Sequence, residues 1–315
     1  MYSKVGNFDN SVKEKIVSGQ DSVKRAAGLL VIECKNSNAN GDPDVGGGPR
    51  VRYDEISLIS DVSVKRKLRN MILDRGEYYK VLVKSLGLDG DRFQILEDPS
   101  RDKPAIHELI HSKGVDAFHD RYWDARVFGN TFLEENKTAK SRGAASKIHI
   151  RTGPVVFAWG ESIAPVIVDT QTCTNMSGVQ EGKDCGMAPD RAQQVKHAIY
   201  AMPFYIDPFL ADKTCCSAQD IEVLMRLIPH IYSSCRCTTR PEVQLLHAYY
   251  FETVSKFGGH EMDLVKSLRP VKKDVSNPSS SSDEYSFPGF DNPTFKKYAN
   301  LVGTTMDLMD VDIES

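Results

Sequence analysis

Apolar and polar positions alternate along the chain with periods that change at recognisable points. Ala26 to Cys34, AAGLLVIEC, is a continuous apolar run of strand length, the pattern of a central strand buried on both faces. The pattern then breaks. From Asn36 the chain is polar and glycine-rich, with Asn40-Gly41 and Asp42-Pro43 as turn signals, so its backbone groups need water, turns or a ligand. A helical period starts after Ser60, which suits an N-cap. Val64, Leu68, Met71 and Ile72 share one face, and Lys65, Arg66 and Arg69 an adjoining arc. Tyr78 to Leu86 reads as a second helix and 87 to 104 as loop. Ile106 to His111 and Val115 to Trp123 read as helical, with Phe118 and Tyr122 at i, i+4 spacing. Glu134 to Ser146 is hydrophilic and expected to be exposed.

From Lys147 the period becomes strand-like, with Gly153 and Pro154 dividing two β-rich runs. Asp169 to Gln194 is rich in Thr, Gln, Gly and Ser, lacks a core face and lies between strand candidates, as a protruding hairpin would. A strand over 197 to 207 follows. Ser217 and Asp220 then suit the capped start of a helix carrying Val223, Leu224, Leu227, Ile228 and Ile231, with Pro229 distorting its last turn. Val243 to Val254 reads as a strand and Glu261 to Leu268 as a short helix. SNPSSSSDEYSFPG is expected to be a mobile linker, and the tail from Pro293 to return as an edge strand. The core order is βαββαβ. It predicts an α+β fold with a modified ferredoxin-like, RNA-recognition-type core, an inserted helical lobe at about 76–146 and a projecting hairpin at 169–195. The domain plan is an N-terminal arm over 1–25, a palm over 26–272 carrying those insertions, and a linker and tail over 273–315.

Composition narrows the chemistry. Lys and Arg total 40 against 43 Asp and Glu among 315 residues, a formal net charge of −3, so nucleic-acid binding must use local patches. Seven cysteines without a regular framework point to a reducing compartment. The N-terminus lacks an apolar signal region and no run reaches membrane-spanning length, so a cytoplasmic chain without membrane contact is expected.

Lys65, Arg66 and Arg69, spaced along a helix, cannot converge on one phosphate and suit a polyphosphate backbone; the alternative is a solvated basic face. Asn38, Asn40, Arg50 and Arg52 stand beside them. Asp42 and Asp44 offer either turn chemistry or two ligands for magnesium. His230, Cys235 and Cys237, with Cys215, Cys216 or another residue, match no standard zinc spacing, and no cofactor or metal is expected.

The ordered set NxNGDPD, GxPR and DVxxKRKLRN resembles the N-terminal signature of the backbone subunit of type I CRISPR Cascade complexes, closest to the type I-C form, in the RAMP superfamily. Ser37 stands where the family has proline, and Ala39 also departs. DARVFGNTF, from Asp124, resembles a second family patch. This implies that Arg126 lies near RNA, the alternative being an ion pair with a neighbouring carboxylate, and that Gly129 permits close backbone approach. RTGPVVFAWGESIAP, from Arg151, resembles a third, with Ala164 replacing an aspartate. The resemblance makes the projecting hairpin a thumb. It aligns Met176 with an apolar wedge between bases, the alternative being an ordinary loop methionine, and places Lys196 and His197 near the guide backbone.

It implies a non-enzymatic chain. Copies would stack head to tail on a crRNA and leave its bases for a target DNA strand, beside other Cascade subunits and a recruited nuclease-helicase. The alternative is a metal-dependent RAMP endoribonuclease using Asp42 and Asp44.

Overall fold

The computed structural model describes residues 22–131, 151–176 and 187–311. In chain order the first half contains β1 (Ala26–Ser37), β2 (Leu58–Ile59), α1 (Asp61–Leu73), α2 (Glu77–Leu86), α3 (Lys103–Lys113), α4 (Val115–Arg121), α5 (Trp123–Phe128) and β3 (Gly129–Asn130). Next come β4 (Arg151–Thr152), β5 (Val155–Phe157), β6 (Gly160–Ser162), β7 (Val168–Met176), β8 (Met187–Ile206), α6 (Pro208–Thr214) and α7 (Ala218–Leu227). The C-terminal part holds β9 (Glu242–Thr253), α8 (Glu261–Ser267), β10 (Val271–Lys272), β11 (Tyr285–Ser286), α9 (Pro293–Lys297) and β12 (Val302–Asp307). The 1–25 arm lies almost wholly outside the described residues, as do 132–150.

One large antiparallel sheet organises the chain, in the order β12-β9-β1-β8-β6-β2. The same edge of β8 receives β5 at Ile206, β6 near Ala201 and β7 from Val195 outward. β1 is central because neither of its faces is polar. Ala26, Leu30, Ile32 and Cys34 enter one core, whereas Ala27, Leu29 and Val31 enter a second on the opposite face. Strand alternation produces this division, and burying each leucine contributes about 1.5–3 kcal/mol. At Gly28 a β-carbon would overlap the Tyr249 carbonyl oxygen and the Phe204 ring.

Val64, Leu68, Met71 and Ile72 of α1 pack into the first core with Val223, Leu224 and Leu227 of α7. α7 starts at the expected Ser217–Asp220 capping box and gives way at Pro229 to a 3-10 turn over Ile228–His230. α3 and α4 build a smaller cluster from Ile106, Ile110, Phe118 and Tyr122, the last two rings 5.3 Å apart. Among the described residues, no helix is long and apolar enough to cross a membrane.

The expected mobile linker requires correction. Residues 276–289 pack against the second face of the sheet, where Tyr285 is buried and donates to Ser279 Oγ at 2.8 Å. Ser281 and Glu284 form a capping box, and Lys272 Nζ donates to the Asp274 and Asn277 carbonyls. Aromatic anchoring thus orders a stretch whose mean hydropathy is low. β12 then pairs with β9 as the edge strand.

Candidate nucleic-acid interface

The glycine-rich loop is closed by its own side chains. Asp42 caps the 3-10 turn Pro43–Val45, accepts from Asp44 N at 3.2 Å and pairs with Arg50 at 3.1 Å. Gly46 and Gly47 supply left-handed φ values of +68° and +84°. Asn38 Nδ2 donates to the Gly47 carbonyl at 2.7 Å. Asn40 Oδ1 accepts from Ser60 N and Oγ at 2.9 and 2.8 Å, while Ser60 Oγ caps α1 by accepting from Ser63 N. Both asparagines are buried. They serve the loop itself: Asn38 closes it through Gly47, and Asn40 fastens it to the helix start.

The basic arc of α1 opens onto a groove of about 480 Å³, and Lys65, Arg66, Arg69 and Arg151 all line it. Lys65 pairs with Asp61 at 2.9 Å, Arg66 Nη1 donates to the Glu97 carbonyl at 2.7 Å, and Arg69 Nε meets Asp124 at 2.8 Å. Asp124, 1% exposed, also accepts from Leu96 N and Glu97 N, so it is a fixed anchor. The Lys65 and Arg69 side chains keep 18% and 11% of their exposure, which sets them in the groove wall. A guanidinium carries five N–H donors, so one ion pair does not exhaust Arg69.

Arg151 joins the groove because β4 pairs with β3, whose Gly129 has φ +81° and no room for a β-carbon beside the backbone of 151–153. The close approach expected at Gly129 is made to this chain's own strand. Arg151 Nη1 also donates to the Lys213 carbonyl.

Arg126 is corrected. It is 0% exposed, and its donors are spent on Asp220 (3.0 and 2.7 Å) and on the carbonyls of His119, Asp120 and Arg92. The ion-pair alternative describes it. Lys196 and His197 separate because neighbours on a strand face opposite ways. Lys196 is exposed, but His197 is 2% exposed and lies under the C-terminal segment. Its Nδ1 meets Ser279 Oγ at 2.8 Å and its Nε2 meets Glu33 at 3.3 Å. Burial pushes the Glu33 carboxyl up, but hydrogen bonds from Gln244, His197 and Ser282 outweigh it and hold the group below its ordinary range.

Arg50 and Arg52 flank the loop. Arg50 lies over the Trp159 ring, 5.6 Å from its centroid, and Arg52 pairs with Asp54 and Glu161. β7 and β8 pair from Val168↔Val195 to Met176↔Met187, giving the projecting hairpin. The backbone of Met176 ends that pairing, while its side chain and residues 177–186 lie outside the described residues.

Two inward groups escaped sequence reasoning. Lys67, midway along the basic helix, is 6% exposed. Its Nζ donates to Ser63 Oγ at 2.7 Å over the Tyr232 ring, and burial lowers the ammonium to about 8. Asp124, the second, stands in the sequence between the apolar Trp123 and Ala125, the signal that it points inward. Of the zinc alternative, Cys235 Sγ donates to the Ile231 carbonyl and His230 packs on Tyr78. Among the described residues no three His, Cys, Asp or Glu side chains are grouped to hold a metal.

These features define a mixed helix-and-sheet protein with a large antiparallel sheet, a projecting hairpin and a cation-lined groove beside its first helix. The family described as CRISPR-associated protein Cas7 matches residues 24–288, and the chain belongs to that family. No curated protein sequence is significantly similar to it. Among solved structures it is similar to a chain of a CRISPR RNA-guided surveillance complex in its pre-nicking state, at 14% identity over 73% of this chain and 79% of that one, TM-score 0.46. It is also similar to a chain of the type III-B Cmr-beta complex bound to cognate target RNA, at 13% identity over 79% and 67%, TM-score 0.38. At these values the family match alone carries the assignment.

Proposed function

We propose that this chain is the crRNA-binding backbone subunit of a type I CRISPR interference complex, assembling in several copies along the guide in the cytoplasm. The observation that carries the reading is the convergence of Lys65, Arg66, Arg69 and Arg151 on one open groove. Cations strung along a wall follow a chain of phosphates rather than enclose one. The motif series from Asn38 to Asn70 favours the type I form. The fold reads as the split βαββαβ unit, since its four principal strands, numbered along the chain, stand in the order 4-1-3-2 as β9, β1, β8 and β5/β6. The sheet face that RNA-recognition domains leave open is covered here by α8, β11 and α9, so the guide uses the groove and hairpin side instead.

In this reading the hairpin is a thumb with Met176 at its wedge, and the bases are left for a target DNA strand. Other Cascade subunits and a nuclease-helicase supply the remaining steps. The chain itself does no covalent chemistry. Of the two loop carboxylates a metal-dependent ribonuclease would use, Asp42 and Asp44, the first is committed to its turn and to Arg50. Expression followed by purification tests the proposal: RNA of uniform length should travel with the protein and remain uncut when magnesium is added. Protein free of nucleic acid, or cleavage abolished by Asp42→Ala or Asp44→Ala, would contradict it.

A further inference from the structure

Trp159 leaves 46% of its surface in solvent, although indole is among the costliest side chains to expose. It stands between β5 and β6, and the pairing of Ile59 with Gly160 sets it across from Ser60. The next two residues along α1, Asp61 and Val62, line the basic groove. The backbone of Trp159 therefore stands across from the N-cap of the basic helix, one residue before the groove-lining Asp61. Arg50 is held over the indole ring at 5.6 Å, with its guanidinium fixed by Asp42 at 3.1 Å. A cation anchored on one face of an indole restricts the ring without covering it.

We propose that Trp159, braced by Arg50, is a stacking platform for one unpaired base of a single strand whose phosphates follow Lys65, Arg66 and Arg69. This assignment rests on the guide-binding reading above and adds a base contact to its phosphate contacts. Alternation of a cationic groove with an aromatic face is the arrangement that holds single-stranded nucleic acid without reading its sequence. A protein-docking patch would instead need contiguous apolar surface. Here Arg50 lies over the ring, and Glu161, two residues along the chain, pairs with Arg52 at 2.9 Å.

The chain has two tryptophans, and Trp123 is fully buried, so quenching of the exposed fluorophore reports Trp159. Nucleic-acid-free protein is titrated with a short oligouridylate and, separately, with inorganic polyphosphate. The oligonucleotide should quench the emission, and polyphosphate should bind without quenching. Trp159→Ala should weaken oligouridylate binding by roughly 5- to 150-fold and leave polyphosphate affinity unchanged. Trp159→Phe should recover most of the affinity while abolishing the quench, which separates stacking from misfolding. Unquenched, wild-type-like RNA binding in both variants overturns the platform and leaves the guide reading intact. Loss of self-association in light scattering with RNA affinity unchanged assigns the ring to a protein contact and also overturns it. If wild-type protein binds neither polymer, the guide reading and the platform fall together.

Discussion

Replacing Arg126 with alanine separates a structural arginine from an RNA-contacting one. Arg126 and Asp220 are 0% and 1% exposed and form a two-pronged pair at 3.0 and 2.7 Å. The remaining guanidinium donors meet the carbonyls of His119, Asp120 and Arg92. Removing one partner of such a pair strands the other charge and costs about 3–5 kcal/mol. For domains somewhat smaller than this chain each kcal/mol lowers Tm by about 2–4 °C, so Arg126→Ala should melt roughly 6–20 °C below wild type. The assay is urea denaturation followed by circular dichroism, with the midpoint shifted and the slope preserved. Asp220→Ala in the same background should then cost less than it does alone, because the stranded charge is gone. An Arg126→Ala protein within about 1 kcal/mol of wild type, with weakened RNA binding, would refute the buried-pair account.

Two other perturbations follow from buried titratable groups. The Lys67 ammonium is lowered from 10.5 to about 8, chiefly by burial. Between those values the unfolded chain binds more protons than the folded one, so stability should rise with pH across that window. Lys67→Met should remove the rise, and chemical denaturation at pH 8 and pH 10 measures it. Burial raises the Asp307 carboxyl, but hydrogen bonds from His247, Ala248 N and Met309 N outweigh it and lower the group overall. A depressed carboxyl stabilises the fold above its unfolded value and loses that contribution as pH falls through the folded one. Asp307→Asn should therefore destabilise the β12 edge at pH 7, by a margin that shrinks as pH falls below 3.8, as hydrogen exchange along Val302–Asp307 would report.

Much of the scaffold was legible from pattern alone. The unbroken apolar run of β1 announced a strand with two covered faces, and Ser60 and Ser217 marked helix starts that the structure keeps. What stayed hidden was direction. Helical spacing puts Lys65, Arg66 and Arg69 together but does not reveal that Lys67, between them, turns inward over Tyr232. Asn38 and Asn40 look equally suited to ligand or turn until the position of Ser60 is known. The His197 environment depends on Ser279, 82 positions later, a contact no local window contains. Serine and proline dominate the count of the C-terminal segment and mask its order, whereas Tyr285, Phe287, Phe290 and Phe295 form the face that binds it to the sheet. The spacing of those aromatics, not the mean hydropathy, carries the signal.

The salt dependence of single-stranded RNA binding tests the groove most directly. For single strands, log K falls against log salt with a slope of about −0.7 for each phosphate neutralised, so the four cations predict about −2.8. Lys65→Gln, Arg66→Gln and Arg69→Gln combined should weaken binding and flatten that slope by about 2 units, with the near-ultraviolet circular dichroism of the wild type retained. A folded triple variant that binds RNA with the wild-type slope would place the guide elsewhere on the molecule and contradict the account.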